Sequence, residues 1–481
     1  MNAREPLRSI LVVGGGLTAI CAAIGFARAL PQARVTWAAT PPDPAALADR
    51  LPAIAPVAAA AAASLGLDEA ALIAAGAATH RVGERFAWGG VPFAVGAGDG
   101  IASLAGAALH HLWLAHGEGS YAALVPGAAL AMAERFVPTG DDDRSLLSQV
   151  DHALRIDAER AMPLLAQRAQ AAGVTYVAAP AVAVTHAPAG IAGLAVDGTT
   201  LAADLYVDAS GPDALLAPAQ AEWVDWGETL AADRLLLGTA AARPSPTDGY
   251  EALPIGWSAR WPLAARTLTG VAFRSTAGGE ARARRLMPGT TERIAVRPRR
   301  RVAPFAGNVL ALGDAAAAVG PLGWMGFTLA LMHLELALAL MPARRPEPLL
   351  VAEYNRRATL RAERVHAWLA AFYLAGPGRG GDFWHPLRTV AATGELAAAL
   401  AQFGRRGALP PVEEAMVPPT QWRQALIGLG VRPERHDPVA LSVPRATAVA
   451  ALAHLRGAVT ALPAGLPAYP DCLAMLMRGR R

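Results

Sequence analysis

An apolar run near the start of the chain, Ser9–Val13, leads directly into three consecutive glycines and then into an alanine-rich segment. The order of strand, glycine turn and helix is typical of a phosphate-binding turn, in which the first glycine permits the tight bend and the second lets the backbone approach a pyrophosphate. The N–H groups that open the following helix have no partners within that helix, so they face the anion. We therefore predict a dinucleotide site whose contacting residues are Gly14, Gly15, Gly16, Leu17 and Ala19.

A second stretch with cofactor chemistry lies far downstream, where the apolar segment 308–312 ends in Gly313 and Asp314. In FAD enzymes an aspartate at such a place accepts hydrogen bonds from the ribityl hydroxyls, and the next helix begins at the flavin ring. Here that helix begins near Gly326 and Phe327. The alternative is an aspartate that only caps a helix. Together with the N-terminal turn, the segment favours FAD over NAD.

The second strand lacks the carboxylate that usually holds the ribose of a dinucleotide. This acidic residue normally stands about 20 residues beyond the glycines, but the predicted strand Arg34–Ala39 continues into Thr40. Asp43 and Asp49, in the loop that follows, are the acidic side chains that could reach the ribose instead. We expect FAD to bind weakly for this reason.

Hydrophobic periodicity and helix breakers place these motifs on a coarse framework. Ser9–Val13, Leu17–Leu30 and Arg34–Ala39 form a βαβ opening. Residues 57–79 are predicted to be helical, and another helix is predicted over Ala158–Ala172, before several short strands.

The predicted fold class is α/β, with a Rossmann-like FAD-binding core, a mixed substrate sheet and a helical C-terminal region. Residues 1–345 form the predicted core, which includes the substrate sheet at about 230–300. Residues 346–481 form a mainly helical cap.

Composition narrows the class of protein. The chain has 481 residues with no lysine, a net charge of +4 and two distant cysteines, Cys21 and Cys472. Neither a disulfide framework nor a metal site is predicted. The basic run 297–301 is expected to be a solvated or phosphate-facing strand end rather than a nucleic-acid patch. No membrane span is predicted, and a bacterial cytoplasmic protein is expected.

Landmarks in a fixed order resemble the flavin-dependent tryptophan halogenase family over nearly the whole chain. The stretch 78–86 is similar to the family's A-T-x-K-L-G-x-R-F motif, and Trp88 follows it. The order of the landmarks carries the resemblance. The others are Gly14–Gly16, His152–Asp157, Asp208–Gly211, Gly256–Leu263, Gly313–Asp314, Pro321–Leu322, Glu353–Arg356 and Phe383–Trp384.

The resemblance implies a cofactor, a reaction and partners. Members of this family use reduced FAD and oxygen to convert chloride or bromide to hypohalous acid, which a lysine delivers to an aromatic carbon while a glutamate stabilises charge on the substrate. The chain is accordingly expected to take reduced FAD from a separate flavin reductase and to act on a small aromatic, indole-like compound. A second copy of the chain, in a homodimer, is a further expected partner.

The residues that carry the family's chemistry differ here. The family lysine aligns with Arg81, whose guanidinium can donate hydrogen bonds to hypohalous acid but stays protonated and does not readily form a haloamine. The family glutamate aligns with Gly323, which offers no acid or base. Arg81 is the predicted catalytic residue, and the backbone amides of Met325 and Gly326 are the predicted halide contacts.

The family's W-x-W-x-I-P signature, which helps to block direct monooxygenation of the substrate, is also altered. Trp257 is present, Ala259 stands at the second tryptophan, and Trp261 precedes Pro262. The tryptophans themselves are predicted to be core or pocket wall, because aromatic side chains dominate core burial. This set is Trp257, Trp261, Trp324 and Trp384.

Three functions are consistent with this pattern. The first, which we favour, is an FAD-dependent oxidoreductase of the halogenase family that acts with O2 on an aromatic substrate, with halogenation in question. The second is a non-catalytic relative that binds flavin or an aromatic ligand. The third is a flavin monooxygenase whose reaction has no halide step.

Overall fold

The computed structural model of the protein describes residues 5–138, 145–188, 190–218, 220–275, 278–376 and 379–479. In chain order the described strands are β1 Ser9–Val13, β2 Arg34–Ala39, β3 Ala53–Ile54, β4 Ala78–Arg81, β5 Gly83–Ala87, β6 Phe93–Gly96, β7 Ser103–Leu104, β8 Ala107–Ala108, β9 Ala153–Ile156, β10 Thr175–Ala178, β11 Ala183–Ala187, β12 Gly190–Val196, β13 Thr199–Leu201, β14 Leu205–Asp208, β15 Trp223–Asp225, β16 Arg234–Ala240, β17 Thr247–Leu253, β18 Gly256–Pro262, β19 Thr267–Phe273, β20 Thr291–Ala295, β21 Arg299–Arg301, β22 Phe305–Ala306, β23 Val309–Ala311 and β24 Ala317–Ala318.

The α-helices are α1 Leu17–Ala29, α2 Leu47–Arg50, α3 Ala59–Ser64, α4 Glu69–Ala74, α5 Leu109–His116, α6 Pro126–Ala133, α7 Ala158–Ala171, α8 Gly279–Leu286, α9 Met325–Ala339, α10 Pro348–Leu374, α11 Gly394–Arg406, α12 Pro419–Gly428, α13 Pro438–Ser442, α14 Arg445–Ala461 and α15 Tyr469–Met477. The predicted α/β class is confirmed.

Two compact units share the chain, and each is built from three separate stretches of sequence. The first unit contains Met1–Ala77, Ile156–Gly227 and Ile294–Val365. The second contains Ala78–Arg155, Glu228–Arg293 and His366–Arg481. The predicted boundary between residues 345 and 346 stays a prediction, since the units cut the chain elsewhere.

The first unit is organised around a six-stranded sheet in the order β10-β2-β1-β14-β23-β22. The strands from β10 to β23 run parallel, whereas β22 pairs antiparallel with β23. In the register, Val13 lies opposite Asp208, and Asp208 lies opposite Ala311. The carboxyl ends of β1, β14 and β23 therefore meet at one edge of the sheet, which is where open α/β sheets bind ligands.

The helices of the first unit explain the burial pattern of the sequence. All residues of α1 from Leu17 to Ala27 are buried, as expected of a helix that is apolar on every side. The predicted limits of β1 and β2 are confirmed, and α7 ends at Ala171 just before Gly173. The prediction of helix over 57–79 is only partly right, because Gly66 adopts a left-handed backbone (φ +82°) that separates α3 from α4.

The second unit contains a seven-stranded sheet in the order β20-β16-β19-β18-β17-β5-β6. β17 pairs parallel with β5, whereas β18 and β19 pair antiparallel with their neighbours. Five of its strands, β16 to β20, lie within the region 230–300 that was predicted to hold the substrate sheet. Helices α5, α6, α8 and α11 to α15 also belong to this unit.

Tryptophan side chains are buried in both units, as predicted. Trp257 and Trp261 are fully buried, and their indole N–H groups donate to Tyr373 Oη (2.9 Å) and Tyr250 Oη (3.1 Å). Trp324 and Trp384 are also almost completely buried. Because a buried indole N–H usually finds a hydrogen-bond acceptor, Tyr373 and Tyr250 fix the orientation of the Trp257 and Trp261 rings.

Among the residues that the structure describes, two helical segments have the length and apolar composition of a membrane span: Leu322–Ala339 and Arg445–Gly465. The first is 83% buried inside the protein, which is the environment of a core helix, and the second is 22% buried. Core helices of soluble proteins meet the same criterion.

The basic run 297–301 forms β21 and the residues before it. The Arg299 guanidinium lies 3.9 Å from the centroid of the Trp223 ring, and Arg300 Nε donates to Glu363 Oε1 at 2.5 Å. Arg301 is buried. The arginines of the strand therefore pack within the first unit, and Arg297 is the more solvated member of the run, with 61% of its side chain exposed.

Candidate functional site

The predicted phosphate turn joins β1 to α1 in the first unit. Gly14 has a backbone φ of +149°, and a β-carbon at this position would lie 2.2 Å from the carbonyl oxygen of Ala209. A β-carbon on Gly15 would lie 2.2 Å from the Thr40 carbonyl oxygen. Trp37 Nε1 donates to the Gly14 carbonyl at 2.8 Å. The turn is glycine-rich because its backbone touches the loops that follow β14 and β2.

The downstream Gly-Asp segment lies at the same edge of the sheet as this turn. Gly313 follows β23 with a left-handed backbone (φ +59°), and a β-carbon there would lie 3.1 Å from the side chain of Thr18 in α1. The two motifs are far apart in the sequence, and the parallel pairing of β1, β14 and β23 brings them together.

A carboxylate lies at the N-terminus of α1. Asp49 Oδ1 accepts hydrogen bonds from the Thr18 backbone N–H and from Thr18 Oγ1, both at 2.7 Å. A β-carbon on Gly16 would lie 1.9 Å from Asp49 Oδ2. Burial raises the pKa of Asp49 to about 6, although its bonds to Thr18 act in the other direction.

Asp314 is also engaged with the segment that contains Asp49. It is 3% exposed, and its Oδ2 accepts a hydrogen bond from the Ala48 N–H at 2.8 Å. Burial raises the pKa of Asp314 to about 8, and the negative charges of Asp49 and Asp43 add to the increase. A β-carbon on Gly326, at the start of α9, would lie 3.1 Å from Ala48.

We call residues 40–50 the covering segment, because they lie against the turn, the start of α1 and Asp314. The glycine turn, the helix N-terminus and Asp314 are the groups that a pyrophosphate and a ribityl chain require. These residues fit FAD on the condition that the covering segment moves away from them. The ribose contact of Asp43 or Asp49 stays a prediction.

Two consecutive left-handed residues, Gly323 (φ 68°) and Trp324 (φ 54°), directly precede α9. Glycine tolerates this backbone at no cost, whereas a residue with a β-carbon is strained by about 1 kcal/mol or more. This explains a glycine at the position that aligns with the family glutamate. Met325 and Gly326 form the first turn of α9 and Phe327 is fully buried. Their contacts with halide and flavin stay predictions.

Arg81, at the end of β4 in the second unit, belongs to a buried ion-pair network. Its Nη1 donates to Glu84 Oε1 at 3.2 Å and to Asp248 Oδ2 at 3.3 Å. Asp248 also accepts from Arg155 Nη1 at 2.8 Å. Asp248 and Arg155 are fully buried, and Arg81 is 7% exposed. Two positive and two negative charges therefore neutralise one another.

The environment of the network shifts two of its pKa values. Burial lowers the pKa of Arg81, but the Glu84 and Asp248 carboxylates outweigh this effect and raise it overall. Burial raises the pKa of Glu84 to about 6, and its hydrogen bond with Tyr250 opposes the increase. Arg81 thus remains charged, as the sequence predicted, and it is held by carboxylates.

A cavity of about 540 Å³ adjoins this network in the second unit. Asp248 and Tyr250 line it together with Phe86 and Phe93, and three arginines lie along it. These are Arg85, Arg243 and Arg260. The volume and the mixture of aromatic and polar walls are typical of a pocket for a small organic ligand.

Sequence reasoning identified Arg81 but missed its partners. Asp248 had no recognisable motif around it, and Glu84 and Arg155 were noticed only as parts of family landmarks. The sequence signal for Asp248 is its place on a strand between Thr247 and Gly249. An aspartate buried inside a strand requires a cation or several hydrogen-bond donors as partners.

Stability should depend on pH through Asp314. Its folded pKa is raised from the ordinary range to about 8, so the folded protein binds a proton that the unfolded chain releases. This contribution is complete below about pH 4 and is lost as the pH rises towards 8. Between pH 6.5 and 7.5 we expect the free energy of unfolding to fall by up to about 1.4 kcal/mol per pH unit.

The measurement is urea unfolding of wild type and Asp314→Asn over this pH range. The neutral amide should flatten the slope, whereas Asp471→Asn, at an exposed position in α15, should leave it unchanged. A wild-type slope that persists in Asp314→Asn would assign the proton to another group.

The family model described as tryptophan halogenase matches residues 9–445. BrvH, a flavin-dependent halogenase from Brevundimonas sp. BAL3, is similar in structure with a TM-score of 0.89 and 27% sequence identity, covering 98% of this chain and 99% of that chain.

Two further solved structures share the fold. Xcc4156, a flavin-dependent halogenase from Xanthomonas campestris, has a TM-score of 0.88 at 23% identity and covers 98% of each chain. SttH, a tryptophan 6-halogenase from Streptomyces toxytricini, has a TM-score of 0.85 at 21% identity, covering 98% of this chain and 100% of that chain.

Proposed function

The chain belongs to the tryptophan halogenase family, and from this membership we propose that it is an FAD-dependent oxidoreductase that acts with O2 on a small aromatic, indole-like compound. Reduced FAD comes from a separate flavin reductase. Family members are flavin-dependent, so FAD binding is the property that membership itself implies.

The observation that carries the proposal is the meeting of two cofactor motifs at one sheet edge. The glycine turn after β1 and the Gly313–Asp314 segment after β23 lie on either side of the end of β14. This arrangement supports a flavoprotein over a generic α/β protein.

In the proposed function the residues of the first unit bind and orient FAD. Backbone N–H groups from Gly16 to Thr18 hold the pyrophosphate, and Asp314 accepts hydrogen bonds from the ribityl chain. The first turn of α9 would hold the flavin ring. When bound in its reduced form, FAD supplies the electrons for the reduction of O2.

The second unit supplies the substrate cavity. Phe86 and Phe93 stack on each other at 5.1 Å between ring centroids, and Phe86 also stacks on Tyr250 at 5.1 Å. These rings offer an aromatic compound a surface for stacking. We assign Arg81 the part of a charged hydrogen-bond donor beside this cavity. It contacts Glu84 and Asp248, and Asp248 lines the cavity.

A second candidate function is a flavin monooxygenase without a halide step. Two features of the sequence favour it. The chain has no lysine, so Arg81 stands at the position of the family lysine, and Gly323 offers no carboxylate. The guanidinium of Arg81 stays protonated beside two carboxylates, so transfer of halogen through a haloamine has no amine to use. Oxygen transfer to the aromatic compound needs neither group.

The test is turnover with FAD, a flavin reductase, NADH and a panel of indoles, with products identified by mass spectrometry. Each reaction is run with bromide, with chloride and with neither. A product that carries halogen supports halogenation. A product that carries one oxygen, at a rate independent of halide, supports the second candidate.

The control reaction omits the reductase and should give no product. Two results together would contradict both candidate functions: hydrogen peroxide as the sole product with every indole, and no shift of the flavin spectrum when FAD is mixed with the protein. It would leave the non-catalytic relative.

A further inference from the structure

The covering segment places a negative charge where the cofactor's pyrophosphate would bind. The Asp49 carboxylate accepts hydrogen bonds from the Thr18 N–H and from the Thr18 hydroxyl, both at 2.7 Å. Helix N-termini bind carboxylates and phosphates through the same N–H groups and the same dipole. The Asp49 carboxylate and the pyrophosphate therefore cannot both occupy the N-terminus of α1.

Packing of the segment reinforces this exclusion. Ala48 lies against Gly326, and its N–H is taken by Asp314, the residue that would accept from the ribityl chain. Ala46, Leu47 and Ala48 are buried. The apolar contacts and the two hydrogen-bonded aspartates thus hold the covering segment against the cradle, by which we mean the glycine turn, the start of α1 and Asp314.

Charge opposes cofactor binding even before contact is made. Asp43 lies close enough to Asp49 to raise its pKa, and both aspartates raise the pKa of Asp314. FAD would bring the two negative charges of its pyrophosphate to this cluster. The repulsion is relieved when Asp49 leaves, because Asp49 is the acidic group that contacts α1 directly.

We infer that Asp49 is an internal competitor for the phosphate position, and that it sets the affinity of the protein for FAD by holding the covering segment closed. The inference rests on the proposed FAD site. FAD binds only the fraction of molecules in which the segment is open, so the apparent dissociation constant is the intrinsic constant divided by that fraction.

The experiment is a titration of the purified chain with oxidised FAD, followed by quenching of flavin fluorescence. Asp49→Ala removes the charge and both hydrogen bonds, and Asp49→Asn removes only the charge. If the closed segment dominates at about nine molecules in ten, Asp49→Ala should bind FAD about tenfold more tightly than wild type. Asp49→Asn should show a smaller gain in the same direction.

The matched control is Asp68→Ala. Asp68 also caps a helix N-terminus, since its side chain accepts the Ala71 N–H of α4 at 2.7 Å. This variant should bind FAD as wild type does. Hydrogen exchange gives a readout without cofactor, because the Thr18 amide should exchange faster in Asp49→Ala and be unchanged in Asp68→Ala.

The outcomes separate this inference from the proposed function. If wild type and both Asp49 variants bind FAD with the same affinity, the competitor is ruled out and the flavoprotein stands. If only the Asp49 variants bind, the competitor is supported and the wild-type chain is a closed form. If none of the four proteins binds FAD, both the inference and the proposed function fail.

Discussion

Replacement of Asp248 by alanine is expected to lower the free energy of unfolding by about 3–5 kcal/mol, the usual cost of removing one partner from a buried ion pair. The carboxylate is fully buried and contacts two arginines, Arg155 at 2.8 Å and Arg81 at 3.3 Å. After the substitution Arg81 keeps the Glu84 carboxylate as a partner, whereas Arg155 keeps the backbone carbonyls of His80 and Ser245. Chemical denaturation at neutral pH, with circular dichroism as the signal, measures the change.

The control for this prediction is an ion pair at the surface. Glu134 accepts from Arg85 Nη1 at 3.2 Å, and the two side chains are 40% and 43% exposed. Water screens such a pair, so Glu134→Ala should change stability by about 0–1 kcal/mol. If Asp248→Ala cost no more than this, the network would not be the structural element that we describe, and Arg81 would be available for other contacts.

Substitution of Gly14 by alanine is expected to lower the free energy of unfolding by about 3 kcal/mol and to abolish FAD binding. The new β-carbon would lie 2.2 Å from the Ala209 carbonyl oxygen, on a backbone with φ +149°. Strain of the backbone and overpacking each cost about 1–3 kcal/mol. Relief of the clash requires separation of β1 from the end of β14, and this movement opens the cradle.

A matched control is Gly457→Ala in α14, where a new β-carbon would meet no atom within 4 Å. Here alanine should stabilise the protein by about 0.5–1 kcal/mol through its higher helix propensity and should leave FAD binding unchanged. Thermal unfolding and the fluorescence titration measure both effects. A Gly14→Ala protein that is as stable as wild type would show that the turn relaxes freely, contrary to this prediction.

Much of the first unit could be predicted from the sequence, because its signals are local. The run Ser9–Val13, the glycine turn and the helix after it are contiguous, and each part has its own steric or apolar signature. The tryptophans were predicted to be buried for a similar reason, since a large apolar surface is itself a signal. Family membership then followed from landmarks whose order survives at low identity.

The contacts that decide the candidate chemistry could not be read in this way. Asp49 was considered as a partner for ribose, but the structure pairs it with Thr18, 31 residues earlier. Arg81 was expected beside a substrate, and the fold pairs it with Asp248, 167 residues later. No periodicity or spacing in the sequence connects such residues.

The sequence by itself determined the glycine turn and the absence of lysine, because residue identity and local spacing suffice for these, and it predicted the class of cofactor. Tertiary structure alone decided which charges meet. A buried aspartate must find a donor wherever the fold provides one. At Asp49 that donor is the N-terminus of α1, and at Asp248 it is a pair of arginines from other strands.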